Sequence, residues 1–195
     1  MTINNSQFNG YILAGGKSSR MGVDKGLMLF KGKAIIEYVI EQIQPVVQKV
    51  VIISNNPEYK KFGVEVIPDL IKDIGPAGGI YTALQHTDNN LNFMLSCDMP
   101  FITKEAIQYI IKNAMQSQIG LPVHKDKLEP LFGVYSKECS NTWFELISKG
   151  IIKLQDLVVS FNLKTIDVEN HSLFNDSLFM NINTKKDFET AIKQK

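Results

Sequence analysis

The chain alternates between two kinds of hydrophobic pattern. Short apolar runs rich in β-branched residues predict strands over residues 8–14, 49–54, 64–67, 93–96, 119–123, 131–135 and 163–168. Longer segments with apolar positions at helical spacing predict helices over residues 34–44, 79–86, 103–115, 139–147, 153–159 and 184–193, with Thr103 and Thr184 as N-caps. This alternation is typical of an α/β protein with a parallel sheet.

Small or polar residues closely follow the first four predicted strands. They are Gly15 and Gly16, then Asn55 and Asn56, then Asp69, then Asp98. Ligands of open parallel sheets bind beyond the carboxyl ends of the strands. If these strands are parallel, we therefore expect the four sets of residues to meet at one edge of the sheet and to form the functional site there.

Composition narrows the classes of protein that remain. The length of 195 residues fits one domain, residues 1–195, and 44% hydrophobic residues are ordinary for a folded globule. The formal net charge of +1 argues against a nucleic-acid binder, which usually has a larger basic excess. Two cysteines are too few for a disulfide framework, and no apolar stretch is long enough for a membrane helix. We expect a cytoplasmic protein with no nucleic-acid or membrane partner.

The glycine-rich segment after the first predicted strand, residues 13–25, is the most informative part of the chain. Its spacing fits neither the P-loop nor the dinucleotide-binding fingerprint. Glycines let the backbone bring N–H groups close to an anion, and Lys17, Arg20 and Lys25 add positive charge. Arg20 can bind phosphate oxygens in a bidentate way, whereas Lys25 supplies a compact point charge. The segment predicts a polyphosphate-binding loop.

Two carboxylates at predicted strand ends are candidates for specific roles. Mg²⁺ usually takes one or two protein carboxylates and completes its shell with phosphate and water, which makes Asp98 a candidate metal ligand. The other role open to Asp98, capping of the next helix, is already filled by Thr103. Asp69 has two interpretations, because its carboxylate could accept from the two N–H donors of a guanine edge or cap a turn.

Residues 13–27 resemble the signature LAGGxSxRMGxDKxL that opens the molybdenum cofactor guanylyltransferases. Five further segments resemble motifs of that family in the same order. They are Val66-Ile67-Pro68-Asp69, Gly75-Pro76-Ala77-Gly78-Gly79-Ile80, Ser96-Cys97-Asp98-Met99-Pro100, Glu129-Pro130-Leu131-Phe132 and Asn181-Ile182-Asn183-Thr184. The second of these departs from the commoner GPLAG at Ala77 and Gly78. Each motif alone is weak, but six in order make the resemblance specific.

The resemblance implies a three-layer α/β/α, Rossmann-like nucleotidyltransferase fold with a mostly parallel sheet. It implies transfer of GMP from GTP to Mo-molybdopterin, which forms molybdopterin guanine dinucleotide and releases pyrophosphate. Carried over by position, the GTP-binding residues are Leu13, Ala14, Gly15, Lys25, Asn56, Asp69 and Asp98. Asn181 and Asn183 are assigned to the molybdopterin side, and Asp98 to Mg²⁺. Handover of the product to acceptor molybdoenzymes or their chaperones is also implied.

The implied mechanism has no covalent enzyme intermediate. The terminal phosphate of molybdopterin attacks the α-phosphorus of GTP in line, and pyrophosphate leaves. Arg20, Lys25 and Asp98 are the predicted catalytic residues, because the two cations and the Mg²⁺ bound by Asp98 would stabilise charge on the transferring and leaving oxygens. The attacking phosphate is largely ionised at neutral pH, so no strong general base is needed.

Two other functions stay open on the sequence. A related nucleotidyltransferase could use CTP, to make the cytidine form of the same cofactor or a sugar or isoprenoid CDP intermediate. Those relatives more often have Leu-Ala-Ala-Gly where this chain has Leu13-Ala14-Gly15-Gly16. A non-catalytic nucleotide-binding protein is the second alternative, although Arg20, Lys25 and Asp98 are all present.

Overall fold

The computed structural model describes residues 8–15, 24–182 and 184–193. The strands in these ranges are β1 (Phe8–Leu13), β2 (Leu29–Phe30), β3 (Lys33–Ala34), β4 (Lys49–Ile53), β5 (Glu65–Ile67), β6 (Leu91–Ser96), β7 (Ile119–His124), β8 (Lys127–Leu128), β9 (Phe132–Ser136) and β10 (Leu163–Asp167). The α-helices are α1 (Ile35–Ile43), α2 (Pro76–His86), α3 (Lys104–Asn113), α4 (Ser140–Ser148), α5 (Leu154–Val158) and α6 (Lys185–Lys193). Short 3-10 helices comprise Lys25–Leu27, Pro57–Phe62 and Lys137–Cys139.

The main sheet has the strand order β10-β7-β9-β6-β1-β4-β5, with β8 paired to β7, whereas β2 and β3 form a separate hairpin. β1 pairs in parallel with β4 and β6, and β4 pairs in parallel with β5. β9 runs antiparallel to both of its neighbours, β6 and β7. The prediction of a mostly parallel α/β sheet is confirmed.

Helices cover both faces of this sheet and produce three layers. On β1, Phe8 and Ile12 face the core under α1 and α3, whereas Tyr11 and Leu13 face the core under α2, α4 and α5. A strand that is buried on both faces has no polar alternation, which explains the apolar runs at residues 11–13 of β1 and 50–53 of β4. No helix in the described part of the chain is long and apolar enough to cross a lipid bilayer.

Helix α2 begins at Pro76, three residues before the predicted start at Gly79. Gly75 precedes the helix with a φ of 62°, a left-handed conformation that suits glycine. Pro76 takes the first helical position, where the N–H that it lacks would have no partner within the helix. The Gly-Pro pair therefore starts the helix, although the sequence suggested only a turn.

The predicted helix caps are confirmed. Thr103 Oγ1 accepts a hydrogen bond from the N–H of Ala106, and Thr184 Oγ1 accepts one from the N–H of Asp187. Helix α3 ends at Asn113, two residues before the predicted end at residue 115. The short strands β2, β3 and β8 were not predicted, because two residues are too few to show a period.

A substitution at Gly133 of β9 would test how tightly this antiparallel strand packs against β7. A Cβ at this position would lie 2.7 Å from the carbonyl oxygen of Gly120 and would overlap the side chain of Leu121 on β7. We expect Gly133→Ala to lower the free energy of unfolding by about 1–3 kcal/mol, the usual range for overpacking, as measured by urea denaturation. The exposed control Lys164→Ala on β10 should change it by less than about 0.5 kcal/mol. A Gly133→Ala protein as stable as the wild type would contradict this packing.

Candidate functional site

The carboxyl ends of the central parallel strands lie in one row. Leu13 at the end of β1 is in register with Ile53 of β4 and Ser96 of β6. Main-chain hydrogen bonds extend this row past the strands, from Ala14 N–H to the Ile53 carbonyl at 2.9 Å and from Cys97 N–H to the Leu13 carbonyl at 3.1 Å. The residues that follow these strands therefore emerge at the same edge of the sheet.

Lys25 and Asp98 meet at this edge. Lys25 Nζ lies 3.7 Å from Asp98 Oδ2, and the two side chains are only 24% and 11% exposed. The hydroxyl of Ser96 donates to the other carboxylate oxygen, Asp98 Oδ1, at 2.6 Å and orients it. The structure thus brings together the two residues for which the sequence predicted a shared ligand. Their catalytic roles stay predictions.

The surroundings of Asp98 fit a cation that takes most of its ligands from a bound phosphate. Among the residues that the structure describes, no group of three or more His, Cys, Asp or Glu side chains could enclose a metal ion. A single carboxylate is sufficient for a hard divalent cation when phosphate and water supply the other oxygens. Lys25 beside Asp98 adds positive charge for the same phosphate. The donor set therefore suits a metal that arrives with a phosphorylated ligand.

Asp69 lies between the end of β1 and the first turn of α2. Its Oδ2 is 4.0 Å from the position of a Cβ on Gly15, and its Oδ1 is 3.6 Å from that of a Cβ on Gly79. The main chain beside it is held by α2, because the N–H of Leu70 donates to Thr82 Oγ1 at 2.9 Å. Asp69 is thus a fixed, half-buried carboxylate next to the glycine-rich end of β1.

The contacts of Asp69 favour a ligand-binding role over the capping of a turn. In the described ranges its carboxylate accepts one hydrogen bond, from Asn55 Nδ2 at 3.0 Å, and none from a main-chain N–H. Burial raises the pKa of the Asp69 carboxyl, and the bond from Asn55 opposes this rise. A buried carboxylate with one donor retains acceptor capacity for a further partner.

Asn56 contacts the protein in a way that the sequence did not indicate. Its Oδ1 accepts from the N–H of Glu58 at 3.0 Å and caps the 3-10 helix Pro57–Phe62. Its Nδ2 donates to Asp24 Oδ2 at 3.1 Å, next to Lys25 in the chain. These bonds give Asn56 a structural role, and its direct contact with a nucleotide stays a prediction.

The C-terminal motif reaches the same site. The N–H of Ile182 donates to the carbonyl oxygen of Asp98 at 3.0 Å, which places Asn181 beside the Asp98 main chain. Asn181 Oδ1 is buried and has no hydrogen-bond partner within the described ranges. Buried acceptors are rarely left unpaired, so this atom is a candidate to accept a hydrogen bond from a ligand. Two other predicted site residues, Arg20 and Asn183, lie outside the described residues.

Four residues of the site had no assigned role on the sequence. Three of them donate hydrogen bonds: Ser96 to Asp98, Asn55 to Asp69, and Tyr59 to the fourth, Asp24. Ser96 and Asp24 stand within the quoted motifs, and Asn55 follows a predicted strand, so each carried a local signal. Tyr59 carried none, because only the folded chain brings it to the site.

The family of the chain follows from comparison with known proteins. A family model of the MobA-like NTP transferase domain matches residues 10–159. The chain therefore belongs to the MobA-like NTP transferase family, and it is a nucleotidyltransferase. This confirms the resemblance that the six motifs indicated.

Two curated relatives with the same name are similar to this chain over most of their length. A probable molybdenum cofactor guanylyltransferase of Flavobacterium johnsoniae is 39% identical over 165 residues, which cover 84% of this chain and 87% of the relative. A protein of the same name from Clostridium perfringens is 34% identical over 190 residues, which cover 94% of this chain and 96% of the relative.

Solved structures confirm the three-layer fold. Molybdopterin-guanine dinucleotide biosynthesis protein A from Archaeoglobus fulgidus is similar with a TM-score of 0.79 and 27% identity, over 94% of this chain and 96% of that one. A CMP:2-keto-3-deoxy-manno-octonic acid synthetase complexed with CTP has a TM-score of 0.75 at 14% identity, over 96% and 97% of the two chains. At that identity the second likeness concerns the fold alone.

Asp69 provides a test of the electrostatics of the site. Because burial raises its pKa, the folded state binds a proton here more tightly than the unfolded state does. Tighter proton binding stabilises the folded state. This stabilisation is complete below the ordinary Asp pKa of about 3.9 and is lost as the pH rises through the raised pKa. We expect Asp69→Asn to be more stable than the wild type at about pH 7 and to lose that advantage towards about pH 4, as measured by urea denaturation. An equal advantage at both pH values would refute this account.

Proposed function

We propose that this protein transfers GMP from GTP to Mo-molybdopterin, forming molybdopterin guanine dinucleotide and releasing pyrophosphate. The observation on which the proposal depends is the approach of Lys25 Nζ to within 3.7 Å of Asp98 Oδ2 at the carboxyl edge of the sheet. Family membership and the curated relatives named probable molybdenum cofactor guanylyltransferases support the choice of substrates.

The end of β1 is the proposed site for the phosphates of GTP. The main chain of Leu13 and Ala14 is engaged in hydrogen bonds with neighbouring strands, whereas Gly15 is exposed. We therefore assign the closest main-chain approach to Gly15, where no side chain intervenes. Leu13 and Ala14 hold that residue in position at the edge of the sheet.

Asp69 is the proposed acceptor for the guanine base. Guanine presents two adjacent N–H donors, at N1 and the 2-amino group, to the two oxygens of a carboxylate. Cytosine has an acceptor next to its amino donor, so an ionised carboxylate would face a lone pair. A site whose acceptors are placed for two donors of the ligand rejects a ligand that lacks one of these donors, which supports GTP over CTP.

Charge stabilisation is the proposed source of catalysis. Asp98 would hold Mg²⁺, which neutralises charge on phosphate oxygens when it is bound. Lys25 stands beside Asp98 and would contact the same oxygens, together with Arg20, which lies outside the described residues. A molybdopterin phosphate oxygen forms the new bond to the α-phosphorus, and the bond to the bridging oxygen breaks with its electron pair leaving on pyrophosphate.

The C-terminal motif is the proposed contact with the second substrate. Asn181 Oδ1 has no partner among the described residues and can accept a hydrogen bond, and its neighbour Ile182 is bonded to the main chain of Asp98. A ligand held by Asn181 and Asn183 would therefore lie next to the reacting phosphates. Transfer of the product to acceptor molybdoenzymes or their chaperones, and a cytoplasmic location, belong to the same proposal.

Pyrophosphate release from GTP and Mo-molybdopterin tests the catalytic assignment. We expect Asp98→Ala to lower kcat at saturating GTP by at least about 100-fold, since charge stabilisation would be lost in the transition state. Lys25→Ala should lower kcat/KM for GTP by about 10–100-fold, because it affects both binding and catalysis.

The controls for this experiment are exposed residues of the same charge. Asp156→Ala and Lys112→Ala lie on α5 and α3 and should leave both constants unchanged. Normal kcat in Asp98→Ala would remove Asp98 from the metal-binding role. Normal constants in Lys25→Ala would remove Lys25 from the phosphate site.

Side-by-side calorimetric titrations with Mg²⁺ and either GTP or CTP test the base. We expect GTP to bind at least about tenfold more tightly than CTP, and we expect Asp69→Asn to reduce that ratio because it removes one of the two acceptors. Tighter binding of CTP would favour a cytidylyltransferase. A preference for GTP that survives Asp69→Asn would place the guanine elsewhere.

A further inference from the structure

A buried cluster of polar groups lies directly behind Lys25. We call it the Asp24 cluster; its members are Asp24, Gly26, Asn56, Tyr59 and Cys97. Asp24 accepts from the Tyr59 hydroxyl, from the N–H of Gly26 at 3.3 Å and from Asn56 Nδ2 at 3.1 Å. The two residues that flank Lys25, Asp24 and Gly26, are therefore both held by hydrogen bonds within this cluster.

Tyr59 links this cluster to the rest of the protein. It is fully buried and belongs to the 3-10 helix Pro57–Phe62 between β4 and β5, whereas Asp24 precedes the 3-10 helix Lys25–Leu27. The hydroxyl of Tyr59 thus joins a three-residue turn to a distant part of the chain. A turn this short has no internal packing of its own, so its orientation depends on such external bonds.

The Tyr59 hydroxyl also lies close to the segments that hold both charged residues. A Cβ on Gly26 would come within 2.5 Å of Tyr59 Oη and 3.2 Å of Cys97 Sγ. Gly26 follows Lys25, and Cys97 precedes Asp98. The hydroxyl is therefore packed where the turn of Lys25 approaches the strand end of Asp98.

Tyr59 acts as a donor in this cluster. Burial raises its pKa far above the ordinary value, and the neighbouring Cys97 and Asp24 raise it further. Tyr59 therefore keeps its proton at neutral pH, and the hydrogen bond runs from its hydroxyl to the Asp24 carboxylate.

We propose that Tyr59 is a positioning residue, which acts through Asp24 to hold the turn Lys25–Leu27 so that the Lys25 ammonium stands at Asp98. This inference rests on the proposed function and extends it to a residue without substrate contact. Loss of the hydroxyl would remove one of the two hydrogen bonds to Asp24 Oδ1, leave that oxygen only the long bond from the Gly26 N–H, and let the turn move. Lys25 would then spend less time at the position where it stabilises the leaving phosphates.

The test is a double-mutant cycle with Tyr59→Phe and Lys25→Ala, read as kcat for pyrophosphate release at saturating substrates. Tyr59→Phe removes only the hydroxyl, and we expect kcat to fall about tenfold in the wild-type background, the size expected for loss of one hydrogen bond to a carboxylate. In the Lys25→Ala background we expect less than about a twofold change, because the residue that Tyr59 positions is already gone.

Tyr11→Phe is the matched control. Tyr11 is also fully buried, and its hydroxyl is 3.0 Å from Nδ1 of His86, at the far end of α2. It should leave kcat unchanged in both backgrounds. If Tyr59→Phe does not fold, Asp24→Asn replaces it in the cycle, because its neutral amide oxygen accepts more weakly from Tyr59 and Gly26 and its NH2 group loses the bond from Asn56 Nδ2.

Two results would overturn the inference: an unchanged kcat in Tyr59→Phe, or the same fold-loss in both backgrounds, which is the behaviour of a purely structural residue. Failure of the proposed function is a separate result, since the wild type itself would then release no pyrophosphate. In that case the same four proteins are compared by affinity for GTP and CTP with Mg²⁺. Absence of coupling between Tyr59 and Lys25 in those affinities would also overturn the inference.

Discussion

The attraction between the Lys25 ammonium and the Asp98 carboxylate is the interaction on which the site depends. Both side chains are mostly buried, and a charge removed from water needs a partner. Each therefore offsets part of the desolvation of the other in the protein without ligand. In the proposed function, a bound triphosphate with its metal would offer the lysine phosphate oxygens and the carboxylate a cation. Such a ligand would replace both contacts of the pair.

Parallel pairing around β1 makes that pair possible. Leu13 and Ser96 end their strands in register, so Asp98 emerges at the same edge of the sheet as Ala14 and Gly15. Close packing by α2 completes the arrangement on the other side of β1, because a Cβ on Gly79 would lie 2.7 Å from Leu13 Cδ2. Glycine at this position lets α2 approach β1 without displacing the Leu13 side chain, and it brings the helix beside Asp69. The positions of Asp98 and Asp69 therefore follow from the pairing of β1 with β6 and from the close approach of α2 to β1.

Much of this arrangement could be predicted from the sequence. Burial on both faces makes the central strands continuous apolar runs, so their ends, and the polar residues Asp69 and Asp98 that follow them, are easily located. The contacts among those residues could not be predicted, because they join distant segments. Asn56 was assigned to the nucleotide, yet its bonds go to Asp24 and Glu58. Tyr59 has no signal of a role in the site in its local sequence, because its contact with Asp24 exists only in the folded protein.

Two features that are unfavourable in the protein without ligand lie at the edge of the sheet where Lys25 meets Asp98. Asp69, with its raised pKa, stands beside the end of β1, and Asn181 Oδ1, which has no partner among the described residues, stands beside the main chain of Asp98. Each would be relieved by a donor from a ligand, which is typical of groups kept for binding rather than for stability. A reaction that joins two substrates needs a recognition group for each. In the proposed function, Asp69 beside the end of β1 would serve GTP, and Asn181 beside the main chain of Asp98 would serve molybdopterin.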